Sequence, residues 1–143
     1  MNSSKHKEKI YTTHSEQGTF ALARKLGKNF KGDEVVFFIG ELGAGKTIFA
    51  KGIAAGLGLK DIHQVCSPSF TLLNIYLAKV PIYHLDLYRL SGEAEIRDLG
   101  FEDYIGEGVV LIEWAEKITF PLSAIRVDIE VGEGCARRIR IIY

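Results

Sequence analysis

The sequence predicts an α/β fold whose mixed sheet has a parallel centre, antiparallel additions and helices on both faces. Two runs of consecutive apolar residues, 35–39 and 109–112, are typical of strands that are covered on both faces. Residues 125–131 instead alternate apolar and polar types, and Ile139 and Ile141 continue that alternation. This pattern predicts a C-terminal antiparallel hairpin with one solvated face.

Strand and helix patterns alternate along the first third of the chain. Residues 10–13 favour a short strand. Ser15 is suited to cap a helix, and acidic Glu16 follows where the helix dipole favours negative charge. Apolar residues then recur at a spacing of four through residues 22–30, which predicts a helix with one apolar face.

A second helix pattern follows the buried strand at 35–39. Phe49, Ile53 and Leu57 lie at a spacing of four and form its apolar side. Gly56 and Gly58 are expected to end this helix. The centre of the chain therefore has the order strand, glycine-rich loop, helix.

The second half of the chain predicts a hairpin and then a short helix. Residues 70–76 and 82–86 are strand-like and are separated by a gap of hairpin size at 78–81. Residues 93–99 predict a helix and 101–105 a further helical turn. The buried strand pattern at 109–112 follows.

Length, charge and cysteine content limit the possible functions. The 143 residues correspond to one domain, 1–143. Eighteen basic and 18 acidic residues give zero net charge, which argues against a free-standing binder of nucleic acid or anionic membranes. Cys66 and Cys135 predict ordinary thiols in a reducing compartment. With no signal segment visible and no apolar run near roughly 18 residues, we expect a soluble cytoplasmic protein.

The strongest chemical signal is the segment from Gly40 to Thr47, which fits the pattern G-x-x-x-x-G-K-[ST]. Its glycines permit a backbone that wraps a phosphate with N–H groups, and the helix N-terminus that follows favours an anion. Lys46 supplies a cation for the β- and γ-phosphates, and the Thr47 hydroxyl suits Mg²⁺. The fold is therefore predicted to be P-loop NTPase-like.

Two carboxylates end the predicted strands beside this loop. Asp86 closes one strand, and Glu113 closes the apolar run at 109–112. Ligands collect at the carboxyl ends of parallel strands, so either acid could hold Mg²⁺ or position water, or it could simply face solvent. Glu113 is slightly favoured because its strand is more apolar. Trp114 follows it and is either a site wall or partner contact, or a core aromatic.

Other polar residues near these motifs have two interpretations each. The hydroxyl-rich segment 66–71 is more often an ordinary loop, but it could sense a γ-phosphate. His84 could orient a site residue, although a half-buried strand position is more common. Arg89 could stabilise phosphate charge or pair with Glu93 at the start of a helix.

Five short motifs occur in one order along the chain. They are GELGAGKT at 40–47, SPSF at 67–70, HLDLYRL at 84–90, LGF at 99–101 with Tyr104, and LIEW at 111–114. This set resembles the TsaE family, small bacterial P-loop ATPases of tRNA threonylcarbamoyladenosine biosynthesis. The HLDLYRL and LIEW motifs are more specific to this family than the P-loop, which many families share.

The resemblance implies Mg²⁺-dependent ATP binding and slow ATP hydrolysis. It implies two partner proteins that transfer the threonylcarbamoyl group to a tRNA adenosine beside the anticodon. Because the chain is neutral, we expect the partners to contact most of the tRNA. By resemblance, the residues with catalytic roles are Lys46, Asp86 and Glu113, and those at the metal are Thr47, Asp86 and Glu113. The nucleotide-binding residues are Glu16, Leu42, Gly43, Ala44, Gly45, Lys46 and Thr47, and Trp114 and Ser69 are expected at the site wall or a partner.

Two other functions remain compatible with the motifs. One is a nucleotide-dependent binding module without relevant turnover. The other is a small-molecule P-loop kinase, but Arg89 and Arg97 are the only arginines between the P-loop and Glu113, which leaves little for an arginine-bearing lid.

Overall fold

The computed structural model describes residues 7–41 and 43–143. Its sheet has the strand order β1-β7-β6-β2-β5-β4-β3. The strands are β1 (Glu8–Thr13), β2 (Val35–Ile39), β3 (Leu73–Leu77), β4 (Pro81–Asp86), β5 (Val109–Glu113), β6 (Ile125–Val131) and β7 (Arg137–Ile142). The helices are α1 (Glu16–Lys28), α2 (Lys46–Gly56) and α3 (Glu93–Asp98), with 3₁₀ segments at Ile62–Gln64, Phe101–Tyr104 and Ala115–Lys117.

Strand directions confirm the predicted mixed sheet. The centre is parallel, with β2 between β5 and β6 and with β4 beside β5. The pairs β1–β7, β6–β7 and β3–β4 are antiparallel. Since β2, β4 and β5 run in the same direction, their carboxyl ends lie at one edge of the sheet, where Asp86 pairs in register with Glu113.

Both faces of the central strands are buried, which explains their continuous apolar runs. All five residues of β5 are buried. One face packs under α1 and α2, with Val36, Phe38 and Leu111 in its core. The other face packs under α3 and two of the 3₁₀ segments, with Val110 and Ile112 in its core. Helices on both faces are therefore confirmed.

Helices α1 and α2 touch through glycines. A Cβ at Gly52 would lie 2.5 Å from the Ala23 Cβ and 2.6 Å from a backbone oxygen of α1. A Cβ at Gly56 would lie 2.3 Å from the Arg24 carbonyl oxygen. Gly56 is the last residue of α2, as predicted, but its structural role is this close helix contact. Gly58, with a φ of 93°, supplies the left-handed residue that follows the helix.

The boundaries of two strands differ from the sequence prediction. Strand β3 begins at Leu73 and not at residue 70, because residues 69–71 form a turn that ends with Leu72 at a φ of 68°. The Leu72 N–H donates to the Pro68 carbonyl oxygen across this turn. The β-prone and aromatic composition of 70–72 suggested a strand, but this local hydrogen bond keeps it out of the sheet. At the other end of the sheet, β1 begins two residues earlier than predicted.

The predicted start of α1 is confirmed. The Ser15 hydroxyl accepts a hydrogen bond from the Gly18 N–H at 3.0 Å, and Glu16 occupies the first turn. Ser15 therefore satisfies one of the N–H groups that the first turn leaves unpaired. The start of α1 lies next to the glycine-rich loop, since Ser15 and Gly45 line the same cavity.

Candidate functional site

The loop between β2 and α2 is shaped by glycines that serve different purposes. A Cβ at Gly40 would lie 2.8 Å from the Ile129 carbonyl oxygen, so this glycine allows the loop to leave the sheet against β6. Gly43 and Gly45 have φ values of 79° and 110°, and a Cβ at either would meet no atom within 4 Å. The space above these two residues is open, as a phosphate cradle requires. Leu42, also expected at the nucleotide, lies outside the described residues.

Lys46 is held at the base of this open space. Its side chain is buried, and its ammonium donates to the Gly40 carbonyl oxygen at 2.7 Å. The same Nζ lies 4.2 Å from the centre of the Trp114 ring, within range of a cation–π contact. Lys46 is also the first residue of α2, so its charge adds to the positive end of the helix dipole.

The two predicted acids lie side by side at the edge of the sheet. Asp86 and Glu113 are register partners on β4 and β5, and both are buried. One Asp86 oxygen accepts a hydrogen bond from the Tyr88 N–H at 2.9 Å. This contact fixes the carboxylate at the strand end, in the cavity that Lys46 also lines.

A short hydrogen-bond chain joins the loop to the acidic edge. The hydroxyl oxygens of Thr47 and Ser67 are 2.6 Å apart. The Ser67 hydroxyl lies 2.8 Å and 3.1 Å from the two oxygens of Glu113. Residues that are 20 and 46 positions apart in sequence are therefore neighbours in one site.

His84 is fully buried and contacts Glu113, so the half-buried strand interpretation was wrong. Its Nε2 atom lies 2.6 Å from a Glu113 oxygen, and its Nδ1 atom lies 2.9 Å from the Tyr76 hydroxyl.

Burial raises the pKa of Glu113, but its pairing with His84, the Ser67 hydrogen bond and the Lys46 charge outweigh burial. The pKa of Glu113 therefore lies below its ordinary value of 4.5, and the carboxylate is negative at neutral pH.

The remaining wall residues lie around the mouth of the site. Trp114 adopts a φ of 59°, and its ring packs against Tyr88 with centroids 4.9 Å apart. Ser69 lines the same cavity, and its carbonyl oxygen accepts from the Arg89 guanidinium at 2.8 Å. The proposed pairing of Arg89 with Glu93 is wrong, because Glu93 instead pairs with Arg97 on α3.

Two adjoining cavities form the candidate cleft. The first has a volume of about 270 Å³ and contains the acidic edge and the Lys46 side chain. The second has a volume of about 200 Å³ and lies between the start of α1 and the C-terminal hairpin, where Ser15 and Cys135 line it. The lining residues shared by the two cavities are Glu16, Gly43, Gly45 and Ile48. Glu16 is therefore placed where the two cavities meet.

Arg137 is a site residue that the sequence prediction missed. Its guanidinium donates to the Ala44 carbonyl oxygen at 3.0 Å and lies 3.5 Å from the Gly43 carbonyl oxygen. It also donates to the Ala136 carbonyl oxygen within the hairpin. An arginine 93 residues from its partner carries no local sequence signal, whereas Ser67 lies in the SPSF motif and His84 in the HLDLYRL motif.

Comparison with known proteins agrees with this arrangement. A family model described as "Threonylcarbamoyl adenosine biosynthesis protein TsaE" matches residues 13–139. The chain belongs to the TsaE family. The match covers the phosphate loop, both acids, Ser67, His84 and Arg137, so the whole candidate site falls within the TsaE region.

Individual TsaE proteins match over most of their length. The tRNA threonylcarbamoyladenosine biosynthesis protein TsaE of Aquifex aeolicus is 39% identical over 128 residues, which are 89% of this chain and 90% of that protein. The protein of the same name from Bacillus subtilis is 41% identical over 127 residues, 87% of this chain and 78% of that one.

A solved structure confirms the fold. The crystal structure of YdiB from Bacillus subtilis superposes with a TM-score of 0.77 at 30% identity, covering 98% of this chain and 88% of that one. Among the described residues, no helix has the length and apolar character to cross a membrane. Both cysteines are free thiols, as predicted.

Proposed function

We propose that this protein binds ATP with Mg²⁺ and hydrolyses it slowly, in support of a partner complex that installs a threonylcarbamoyl group on a tRNA adenosine. The observation that carries the proposal is the hydrogen-bond chain from Thr47 through Ser67 to Glu113. It joins a phosphate loop to a buried carboxylate in the cavity where Lys46 lies. Membership of the TsaE family supports the role in tRNA modification.

Phosphate binding is supported by the backbone and charge of the loop. Gly43 and Gly45 adopt left-handed conformations with open space above them. The N-terminus of α2 begins at Lys46, so its free N–H groups and dipole favour an anion at this point. A triphosphate would fit along the cleft, with its base and ribose toward Ser15 and Cys135 in the second cavity.

The residues of the acidic edge fit a magnesium ion. Hydroxyl and carboxylate oxygens of Thr47, Asp86 and Glu113 are the hard donors that Mg²⁺ prefers. In the described part of the chain, no group of three or more His, Cys, Asp or Glu side chains could hold a metal alone. A site with two carboxylates and one hydroxyl agrees with Mg²⁺, which typically uses one or two carboxylates together with phosphate oxygens and water.

Catalysis would depend on charge and orientation supplied by the chain. The Lys46 ammonium and the loop N–H groups would stabilise negative charge on the transferred phosphoryl group. When bound, Mg²⁺ would supply further positive charge at the phosphates. Glu113 or Asp86 would accept a hydrogen bond from the attacking water and orient it. Because Glu113 stays ionised at neutral pH, it is suited to that role.

We further propose that two partner proteins perform the transfer and contact most of the tRNA, in the cytoplasm. The chain has 18 basic and 18 acidic residues, and a protein that bound tRNA alone would normally show a basic excess. ATP hydrolysis here would then bias the conformation or assembly of the partners.

The test is phosphate release measured with the two partner proteins and tRNA present. We expect the Lys46→Ala and Glu113→Ala variants to lower the stimulated rate by about 100-fold, a loss typical for removed charge-stabilising groups. Lys51→Ala, on α2 at a partly exposed position that lines neither cavity of the cleft, is the control and should keep the wild-type rate. ATP binding is followed independently through Trp114, the single tryptophan.

Wild-type rates in both active-site variants would refute the proposed mechanism. Phosphoryl transfer to a nucleoside or metabolite in place of water would identify a kinase. Nucleotide-dependent partner binding without stimulated phosphate release would identify a binding module.

A further inference from the structure

Three neighbouring strands each contribute one polar side chain to a row on the same buried face of the sheet. Tyr76 lies on β3, His84 on β4 and Glu113 on β5, under helices α1 and α2. The three residues form a continuous row, with 2.9 Å between the Tyr76 hydroxyl and His84 Nδ1 and 2.6 Å between His84 Nε2 and Glu113. The ATP-hydrolysis mechanism above gives no task to Tyr76 or His84.

The two ring nitrogens of His84 have different hydrogen-bond partners. A carboxylate oxygen of Glu113 lies 2.6 Å from His84 Nε2, and because such an oxygen is a hydrogen-bond acceptor, we expect Nε2 to be the donor. On the other side, the Asn74 amide already donates to the Cys66 carbonyl oxygen at 3.2 Å. The Tyr76 hydroxyl donates to the same oxygen at 3.1 Å, and its oxygen lies 2.9 Å from His84 Nδ1. Burial raises the pKa of Tyr76, which keeps its hydroxyl a proton donor.

The row also anchors the loop that carries Ser67. The Tyr76 hydroxyl accepts from the Cys66 N–H at 3.3 Å and donates to the Cys66 carbonyl oxygen at 3.1 Å. The next residue is Ser67, whose hydroxyl contacts both Glu113 oxygens. The same pair of buried side chains therefore touches Glu113 directly and touches the backbone next to Ser67.

We propose that Tyr76 and His84 are positioning residues that fix the orientation of the Glu113 carboxylate and the placement of Ser67 for ATP hydrolysis. This inference rests on the proposed function. Strands hold side chains more precisely than loops, and a carboxylate with one oxygen held by His84 Nε2–H has a single orientation toward the cleft. Neither Tyr76 nor His84 lines the cleft, so both act through Glu113 and the Ser67 loop.

The first test compares two amide replacements of His84. In His84→Gln, the amide nitrogen replaces ring Nε2 and keeps the donor to Glu113; in His84→Asn, the shorter amide reaches only toward Tyr76. We expect His84→Asn to lower the partner-stimulated kcat by about tenfold or more, with the KM for ATP nearly unchanged. His84→Gln should stay within about threefold of wild type. His63→Gln, on the exposed 3₁₀ segment, is the control.

Tyr76→Phe tests the other end of the row. Removing the hydroxyl should lower kcat by about three- to tenfold, because one hydrogen bond to His84 and the anchor on Cys66 are lost. Tyr83→Phe, on β4 with its ring stacked on Tyr104 on the opposite face, is the matched control. A wild-type kcat in both His84→Asn and Tyr76→Phe, or equal losses in the two His84 variants, would overturn the inference.

A spectroscopic readout is independent of hydrolysis. In the full-length wild-type protein, ¹⁵N NMR of the histidines should show His84 Nε2 bearing a proton at neutral pH. A His84 ring with Nε2 unprotonated would overturn the inference. If the wild-type protein released no phosphate with partners and tRNA, the proposed function would fail, while this signal would still decide the arrangement of the row.

Discussion

At the scale of single residues, Glu113 shows how neighbours determine the state of a carboxylate. Burial by itself would favour the neutral acid, since a charged group loses hydration. Its partners His84, Ser67 and Lys46 are all positive or donate hydrogen bonds. They lower its pKa below the ordinary value, so an ionised carboxylate faces the open phosphate loop. The same contacts make Glu113 a contributor to stability.

That contribution predicts a pH dependence of folding. A carboxyl whose pKa is lower in the folded state stabilises the fold above its ordinary pKa of 4.5, and this stabilisation is lost as the pH falls through the folded value. We expect the free energy of unfolding to fall between about pH 5 and 3. The Glu113→Gln variant should show a weaker fall over the same range, measured by urea denaturation.

The exposed residues Glu93 and Glu95 also have lowered pKa values, so the wild-type protein is expected to lose some stability in acid for other reasons. Only the difference in acid-induced loss of unfolding free energy between wild type and Glu113→Gln isolates the contribution of the buried Glu113 carboxylate. Glu116→Gln, at an exposed position on the last 3₁₀ segment, is the control. Its free energy of unfolding should fall with pH along the wild-type slope. Identical slopes in wild type and Glu113→Gln would contradict the description of Glu113.

At the scale of elements, the contact between α1 and α2 depends on the absence of side chains. Gly52 faces Ala23 and the Phe20 carbonyl oxygen, and Gly56 faces the backbone of Arg24 and Gly27. Glycine normally weakens a helix, so its presence here is explained by packing and not by helix propensity. The close approach sets α2, and with it Lys46 and Thr47, against the sheet.

The substitution Gly52→Ala tests this contact. Alanine favours a helix by about 1 kcal/mol, but a Cβ 2.6 Å from a backbone oxygen forces the helices apart. We expect the free energy of unfolding to fall by about 1–3 kcal/mol. Gly92→Ala is the control, because a Cβ there meets nothing within 4 Å, and it should change stability by less than about 1 kcal/mol. A more stable Gly52→Ala protein would show that the helices can separate without cost.

At the scale of the whole molecule, the C-terminal hairpin is joined to the glycine-rich loop between β2 and α2. Strands β6 and β7 lie beside β2 in the sheet, and Arg137 at the start of β7 donates to the Ala44 carbonyl oxygen. Arg137 also lines the second cavity together with Ala44, so this hydrogen bond holds the loop in place beside the cleft. The last strand of the chain therefore supports a loop at its centre.

Arg137→Gln should weaken ATP binding because the fork of hydrogen bonds to the loop is lost. A hydrogen bond from a charged donor is worth about 1.5–3 kcal/mol, so we expect about a tenfold or larger rise in the Kd for ATP, followed by Trp114 fluorescence. Arg138→Gln is the matched control, since Arg138 faces the opposite side of the hairpin with Arg140 and Asp128. Equal affinities for both variants and wild type would show that the hairpin does not support the loop.

Much of the fold could be predicted from sequence because the signals are local. Continuous apolar runs gave β2 and β5, alternation gave β6 and β7, and the Ser15 cap gave the start of α1. The turn at 69–71 could not be predicted, since its residues have strand-like composition and only the hydrogen bond from Leu72 to Pro68 keeps them out of β3. The single-domain assignment stays a prediction.

The candidate site divides in the same way. The sequence by itself determined the positions of the glycine-rich loop, Lys46 and the two strand-end acids, because a spacing motif and the ends of apolar runs can be recognised without any contact. Only the tertiary structure decided that Ser67 joins Thr47 to Glu113, that His84 holds Glu113, and that Arg137 holds the loop. These contacts join residues 20 to 93 positions apart, and such pairs become neighbours only when strand order and register are set by packing.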